Sequence, residues 1–134
     1  MTTESSREYV RRCLELADEF LADAKLCLEH SRLRSAINSA YYAMFHASQA
    51  ILALKGIRPP KTHKGLRELL GREIIITGLL EKEFGRDLSE AFEMGQASTY
   101  DIYANFGEEA VTKIVNKAER FVKRIKEIIH EARP

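Results

Sequence analysis

Five alanines recur at steps of four and three residues, and this spacing constrains the fold more than any other feature: Ala36, Ala40, Ala43, Ala47 and Ala50. Residues at such intervals lie on one face of an α-helix. Because alanine is small, this face allows a neighbouring helix to approach closely. Larger apolar residues, among them Ile37 and Met44, widen the face. The segment therefore predicts the central helix of a helical bundle.

Helical periodicity covers most of the remaining chain. Ser31 and Asn105 are expected to cap the second and the last long helix, and Thr62 a short helix that ends at about Leu70. The isoleucines of residues 74–76 are expected at a helix end or in a buried connection, because no second strand is visible for pairing. We predict an all-α antiparallel up-and-down bundle of four main helices plus a short fifth helix. The long helices span about residues 6–29, 31–55, 79–98 and 106–132.

Length and composition limit the class of protein. The chain has 134 residues, 45% hydrophobic and 31% charged, which fits one folded domain over residues 1–134. Its net charge of +1 gives no overall attraction to nucleic acid or anionic membrane. No apolar run reaches the ~20 residues of a membrane span, and no signal peptide is evident. Cys13 and Cys27 lie on the same predicted helix and are expected to be reduced. We expect a cytoplasmic protein.

Four polar-capable residues, each four positions after the last, form a second stripe on the central helix: Arg34, Asn38, Tyr42 and His46. Arginine binds phosphate or carboxylate, and histidine exchanges a proton near neutral pH. Together with an amide and a phenol ring, this set could hold a nucleotide or an RNA phosphate. The alternative is a structural seam between helices, or a solvated face.

Further candidates lie outside the stripe. His63 follows Arg58 with four residues between them, in a basic loop that could contact phosphate. Alternatively, the loop is solvated and His63 buttresses the short helix. Tyr100 and Asp101 could stack a base and bind its edge, or tie a loop to the bundle. A basic ridge on the last helix is expected to be a solvated face. No metal or cofactor motif is present, so we expect neither.

A resemblance to the HEPN domain family covers about residues 8–130 and rests on three stretches: SRLRSAINSAYYAMFHASQAILALKGI, KTH and QASTYDIY. It implies an up-and-down helical bundle that forms a homodimer. It also implies a frequent pairing with a minimal nucleotidyltransferase as a toxin–antitoxin system. In active members it implies metal-independent RNA cleavage by an arginine and a histidine with four to six residues between them, near the start of the last long helix. There the histidine would transfer protons and the arginine would stabilise the phosphate.

The chain departs from that motif. Gly95 occupies the position aligned with the family's arginine, no histidine follows at the required distance, and only Tyr100 and Asp101 match. Three hypotheses stay open. The first is a binding module for a nucleotide, RNA or a partner nucleotidyltransferase, with contacts from the stripe, His63, Tyr100 and Asp101. The second is a metal-independent endoribonuclease, with His46 or His63 in proton transfer and Arg34 or Arg58 on phosphate. The third is a structural interaction bundle without nucleotide binding.

Overall fold

Five α-helices follow one another in the computed structural model, which describes the backbone of residues 3–132 and the side chains of residues 6–132. Residues 1, 2, 133 and 134 of the expected domain lie outside this part. No strand occurs between residues 3 and 132. The prediction of an all-α antiparallel bundle of four main helices plus a short fifth helix is confirmed. The elements are α1 (Thr3–Glu29), α2 (Leu33–Leu54), α3 (His63–Leu69), a π-helical segment (Leu70–Ile75), α4 (Lys82–Tyr100) and α5 (Glu108–Glu131).

Helix α2 is the hub of the bundle. It packs against α1, α4 and α5, and its most extensive interface is with α1. Within the described residues, α1 and α4 have no Cα atoms within 8 Å of each other, so they flank α2 on separate sides. With α5 packed against both α1 and α2, one side of α2 between α1 and α4 is left without a covering long helix.

The alanine spacing determines how closely the neighbouring helices pack against α2. All five alanines are fully buried, as are the larger Ile37, Met44 and Ile51 on the same helix. Helix α5 contributes Ile114, Phe121 and other fully buried apolar side chains. Each fully buried side chain of this size contributes roughly 1.5–3 kcal/mol relative to an exposed one. The alanines add little area themselves, but they permit the close approach that buries these larger neighbours.

Helix ends follow the sequence only in part. Thr62 caps α3 as predicted, because its Oγ1 accepts a hydrogen bond from the Gly65 N–H at 3.1 Å. The expected cap at Ser31 is wrong: this residue has φ 57° in the α1–α2 turn, and Arg32 precedes α2 without a side-chain cap. The expected cap at Asn105 is also wrong, because Gly107 takes the N-cap position of α5.

The isoleucine run lies where the chain leaves α3. Ile74 is buried in the π-helical segment, as expected for a buried connection, whereas Ile76 just after it is 80% exposed. Cys13 is buried, Cys27 is half-buried, and both are free thiols. None of the described helices combines the length and the apolar character that a membrane crossing requires.

Candidate functional site

One side of α2 is only partly covered, and we call it the open face. Its residues recur at intervals of three and four and are all half-buried or exposed, in contrast to the buried alanine side. Helix α1 borders the open face on one side and α4 on the other. Three of the four stripe residues belong to it. The open face consists of Ser35, Asn38, Ser39, Tyr42, Phe45 and His46.

Arg34 lies at the end of the stripe and is bound to backbone. Its Nη1 donates to the carbonyl oxygens of Ser98 and, at 3.3 Å, Asp101. Its Nη2 donates to Ala104 O at 2.6 Å and to Ile102 O at 3.5 Å. These carbonyls belong to the last turn of α4 and the segment after it, where the helix dipole is negative. The guanidinium therefore fastens the α4–α5 connection to the start of α2.

Asn38 joins α2 to α4 through a reciprocal side-chain pair. Its Nδ2 donates to Thr99 Oγ1 at 3.2 Å, and the Thr99 hydroxyl donates back to Asn38 Oδ1 at 3.3 Å. Gly95 makes this approach possible, since a Cβ at that position would lie 3.1 Å from Asn38 Oδ1. Gly95 therefore has a packing role in this chain.

Tyr42 and His46 both pack on Phe20 of α1. The Tyr42 and Phe20 ring centroids are 5.5 Å apart, and Tyr42 keeps 45% of its surface exposed. The His46 ring is nearly parallel to Phe20, at 9° and a centroid distance of 5.4 Å. Phe45 contacts His46 edge-on. One side of the Tyr42 ring therefore packs against aromatic side chains, and the other side is exposed to solvent.

The hydrogen bonds of His46 fix its tautomer. Gln49 Nε2 donates to Pro60 O at 3.4 Å, which turns Gln49 Oε1 toward His46 Nδ1 at 3.2 Å. Because that oxygen only accepts, Nδ1 carries the proton and Nε2 keeps its lone pair. Burial lowers the pKa of His46 below its ordinary value, while the bond to Gln49 raises it by less. The ring is therefore held as a neutral imidazole with Nε2 as a potential base.

His63 belongs to an aromatic cluster between α2, α3 and α4. It stacks on Phe92 with ring centroids 3.6 Å apart, and its Nδ1 lies 3.0 Å from the Tyr41 hydroxyl. Burial raises the pKa of Tyr41, so the phenol keeps its proton and donates to Nδ1. Burial lowers the pKa of His63, Arg67 lowers it further, and Glu93 opposes both. His63 thus buttresses α3 against the bundle.

The α4–α5 connection presents apolar rings to solvent. Tyr100 is 77% and Tyr103 88% exposed, with the exposed Ile102 between them. Asp101 shapes this segment, because its Oδ1 accepts from the Tyr103 N–H at 2.9 Å. Arg34 holds the same segment from the other side. The structure therefore groups Arg34, Tyr100 and Asp101 at one end of α2.

Apart from Asn38, which pairs with Thr99 of α4, the predicted site residues form two groups rather than one pocket. Tyr42 and His46 share Phe20 on the open face, and Tyr41 links them to His63, since the Tyr41 and Tyr42 rings are 5.2 Å apart. Arg34, Tyr100 and Asp101 form the second group. Sequence reasoning did not assign Phe20, Gln49 or Phe92 to the site. Only Gln49 carried a usable signal, because it follows His46 by three residues and so lies next to it on a helix.

The basic ridge of α5 is neutralised within the protein. Lys117 lies 3.0 Å from Glu90, Arg120 lies 3.6 Å from Asp87, and Arg124 lies 2.9 Å from Glu81, all three carboxylates being on or next to α4. Lys113 pairs along α5 with Glu109 at 3.6 Å. The ridge therefore offers little free positive charge to an external anion.

Comparison with known proteins agrees with this architecture. A family model of the HEPN domain matches residues 10–128. A UPF0332 protein of Thermotoga maritima is 39% identical over 92% of this chain and 91% of the relative. The protein named "Putative toxin MJ0605" of Methanocaldococcus jannaschii is 34% identical over 93% of this chain and 92% of the relative. A UPF0332 protein of Archaeoglobus fulgidus is 34% identical over 87% of this chain and 92% of the relative. The chain belongs to the HEPN domain family.

Proposed function

We propose that this protein is a toxin-like HEPN module that binds RNA at the open face of α2, where Tyr42 stacks against a base. The relative from M. jannaschii named as a toxin supports the class. The observation that carries the proposal is the Tyr42 ring. It is 45% exposed, and its other side packs against Phe20. This deepens the first hypothesis, a nucleotide- or RNA-binding module.

Tyr42 has the properties of a stacking platform. Three aromatic rings pack against the Tyr42 ring. Their centroids lie 5.5 Å (Phe20), 5.2 Å (Tyr41) and 6.2 Å (Phe45) from the Tyr42 centroid. Because these neighbours hold the ring in place, a base that stacks on it loses little conformational entropy to ordering the side chain. Stacking of a base on an aromatic side chain contributes about 1–3 kcal/mol. His46 Nε2 adds an acceptor for a base N–H or a ribose 2′-hydroxyl.

The proposed function includes association with other protein chains. We propose a cytoplasmic homodimer that can associate with a minimal nucleotidyltransferase, as the family resemblance implies. The exposed Tyr100, Ile102 and Tyr103 support a protein contact at the α4–α5 connection, because burying large apolar side chains stabilises an interface. In this arrangement the RNA and the protein partner use opposite ends of the stripe.

A second candidate function, metal-independent endoribonuclease, is favoured by one observation. His46 is a neutral imidazole whose Nδ1 is held by Gln49, which leaves Nε2 to accept a proton from a 2′-hydroxyl. Of the two arginines expected to stabilise the phosphate, Arg34 or Arg58, the first is distant, because Arg34 precedes His46 by twelve residues, about 18 Å along the helix. Its two terminal nitrogens also serve backbone carbonyls. We therefore place binding ahead of cleavage.

Fluorescence anisotropy with a labelled single-stranded RNA tests the proposal. Tyr42→Ala should weaken binding roughly 5- to 150-fold, the equivalent of about 1–3 kcal/mol, whereas Tyr42→Phe should bind like the wild type. Leu26→Ala, at an exposed position of α1, is the matched control and should change nothing. Equal affinities for the Tyr42→Ala and wild-type proteins would refute the platform.

The same RNA, incubated with the protein in EDTA, tests the second candidate. Cleavage by the wild type that disappears in His46→Ala would establish His46 as a catalytic residue. An intact RNA after incubation with the wild type would exclude the endoribonuclease. Induced expression in a bacterial host adds the cellular readout. Growth arrest by the wild type, relieved by Tyr42→Ala, is the outcome that a toxin acting through this face requires.

A further inference from the structure

Positive charge is concentrated in one short part of a nearly neutral chain. Residues 55–72, which we call the basic segment, contain six lysines and arginines but only one carboxylate, Glu68, although the whole chain has a net charge of +1. All six cations are solvent-exposed. They are Lys55, Arg58, Lys61, Lys64, Arg67 and Arg72.

The ridge cations of α5 are paired with carboxylates, whereas the cations of the basic segment are largely unpaired. On α5, the ridge cations Lys117, Arg120 and Arg124 pair with carboxylates on or next to α4. In the basic segment, only Arg72 has a carboxylate within 4 Å among the described residues, namely its neighbour Glu73 at 3.2 Å. Five exposed cations are therefore available to an external anion, and their like charges repel one another until such an anion binds.

The backbone holds this segment in one shape. Consecutive prolines, Pro59 and Pro60, fix two φ angles, and Thr62 caps α3. Gly65 fits closely under this loop, since a Cβ there would lie 3.0 Å from both Pro60 Cβ and Thr62 Oγ1. The cations that follow are thus presented from a defined surface, which reduces the entropy lost when they bind a ligand.

A cleft opens along the basic segment. Its volume is about 740 Å³, and it is lined by Lys64, Arg67 and Arg72, by the carboxylate Glu68, and by His63, Gly71 and the 80% exposed Ile76. Arginine matches phosphate oxygens through its planar fork, and lysine adds a mobile point charge. Three cations against one carboxylate give the cleft a positive charge that suits a polyanion. Ile76 is the one large apolar side chain in its lining, which is little of the buried apolar core that a protein partner would need.

The basic segment is also continuous with the open face of α2. Pro60 O accepts from Gln49, which in turn holds His46. His63 contacts Tyr41, whose ring lies 5.2 Å from that of Tyr42. Tyr41 and Gln49 are buried, so these contacts establish that the basic segment lies close to Tyr42 and His46. At this separation, neighbouring nucleotides of one strand can contact both surfaces.

From this charge distribution, rigidity and continuity, we propose that the basic segment binds the phosphodiester backbone of the RNA strand whose base stacks on Tyr42. The inference rests on the proposed function and adds an electrostatic contribution to RNA binding. It places RNA phosphates on α3 and its preceding loop rather than on the more conspicuous ridge of α5.

The salt dependence of RNA binding tests this assignment. Lys61→Gln, Lys64→Gln and Arg67→Gln combined should reduce the slope of log affinity against log salt by about 2, since each phosphate contact to a single strand contributes about 0.7. Affinity at about 50 mM salt should fall at least tenfold. The matched control combines Lys82→Gln, Arg86→Gln and Lys123→Gln, three exposed cations elsewhere without an ion pair among the described residues, and should keep the wild-type slope.

Each result separates the two proposals. A reduced slope in the basic-segment variant alone supports the inference, whatever Tyr42→Ala does. An unchanged slope, with binding still lost in Tyr42→Ala, overturns the inference and leaves the stacking platform intact. Binding of polyglutamate that matches RNA of equal charge overturns it in favour of an acidic protein partner. Failure of the wild type to bind RNA at low salt overturns both.

Discussion

Arg34 shows how a residue chosen by sequence for its affinity to phosphate can serve the backbone instead. Its guanidinium donates to four carbonyl oxygens at the end of α4 and beyond. Lysine could not reproduce these contacts. The two terminal nitrogens of arginine reach different carbonyls, whereas lysine has a single compact ammonium group. The arginine therefore holds the backbone on both sides of the exposed Tyr103.

Removal of this guanidinium should destabilise the fold. We expect Arg34→Ala to lower the free energy of unfolding by about 2 kcal/mol, because hydrogen bonds to a charged group contribute about 1.5–3 kcal/mol and this one is partly exposed. Arg34→Lys should recover less than half of the loss. Arg32→Ala, an exposed neighbour, is the control and should stay within about 0.5 kcal/mol of the wild type. Urea denaturation measures all three, and equal midpoints for Arg34→Ala and Arg32→Ala would contradict the assigned role.

His46 and His63 should make stability depend on pH. Burial lowers the pKa of both in the folded protein, whereas an unfolded histidine titrates near ~6.5. Between the folded and unfolded pKa values, the unfolded chain binds more protons, so stability falls as pH falls. Their contribution is fully present above pH ~6.5 and declines below it. Asp87 acts in the opposite direction at more acidic pH, because burial raises its pKa.

Replacing both histidines should flatten this dependence. From pH 7.5 to 5.5, the free energy of unfolding of the wild type should decline, with a slope below the limit of ~1.4 kcal/mol per pH unit for each proton. The double variant His46→Gln/His63→Gln should show a smaller slope of unfolding free energy against pH, even if its absolute stability is lower. His130→Gln, on an exposed residue, should retain the wild-type slope. A double variant as pH-dependent as the wild type would argue against these two residues as the cause.

At the level of the helix, the buried alanines of α2 should tolerate no enlargement. Ala40 is fully buried where neighbouring helices approach α2. Ala40→Leu should cost about 1–3 kcal/mol, since the added atoms must displace a packed neighbour. Ala110→Leu on α5 adds the same atoms at an exposed position and should stay within about 0.5 kcal/mol. Thermal unfolding of both variants compares them, and similar losses would contradict the close packing.

Periodicity predicted the helices well because it records which side of each helix is buried. The five alanines of α2 are buried as predicted. Caps were harder, because Ser31 and Asn105 have the right side chains but the turns place Arg32 and Gly107 at the helix starts.

Across the whole molecule, we propose that the chain forms one domain, and we predict one cooperative unfolding transition. All five α-helices and the π-helical segment contribute to one hydrophobic cluster, so loss of one helix exposes the packing surface of the next. Far-UV circular dichroism and the fluorescence of the five tyrosines should give coincident urea transitions, since the chain has no tryptophan. Two separated midpoints would instead indicate independently unfolding parts.

The candidate site was less predictable than the fold, because it depends on which helices become neighbours. Spacing alone placed Arg34, Asn38, Tyr42 and His46 on one stripe, and they do follow one side of α2. It could not show that Arg34 and Asn38 reach α4 while Tyr42 and His46 reach Phe20 of α1. Nor could it show that α4 carboxylates neutralise α5 and leave the basic segment uncompensated.

The short α1–α2 connection has a consequence for the order of folding. Residues 30–32 join the two helices with the most extensive mutual interface, so this hairpin forms with little loop-closure entropy, whereas α4 and α5 must dock from further along the chain. We expect Ala43→Gly on α2 to slow folding and Ala118→Gly on α5 chiefly to accelerate unfolding, each at a cost of about 1 kcal/mol. Stopped-flow kinetics would reveal this as a high φ-value for the first and a low one for the second. The open face and its Tyr42 platform would then take shape on a hairpin that precedes the rest of the protein.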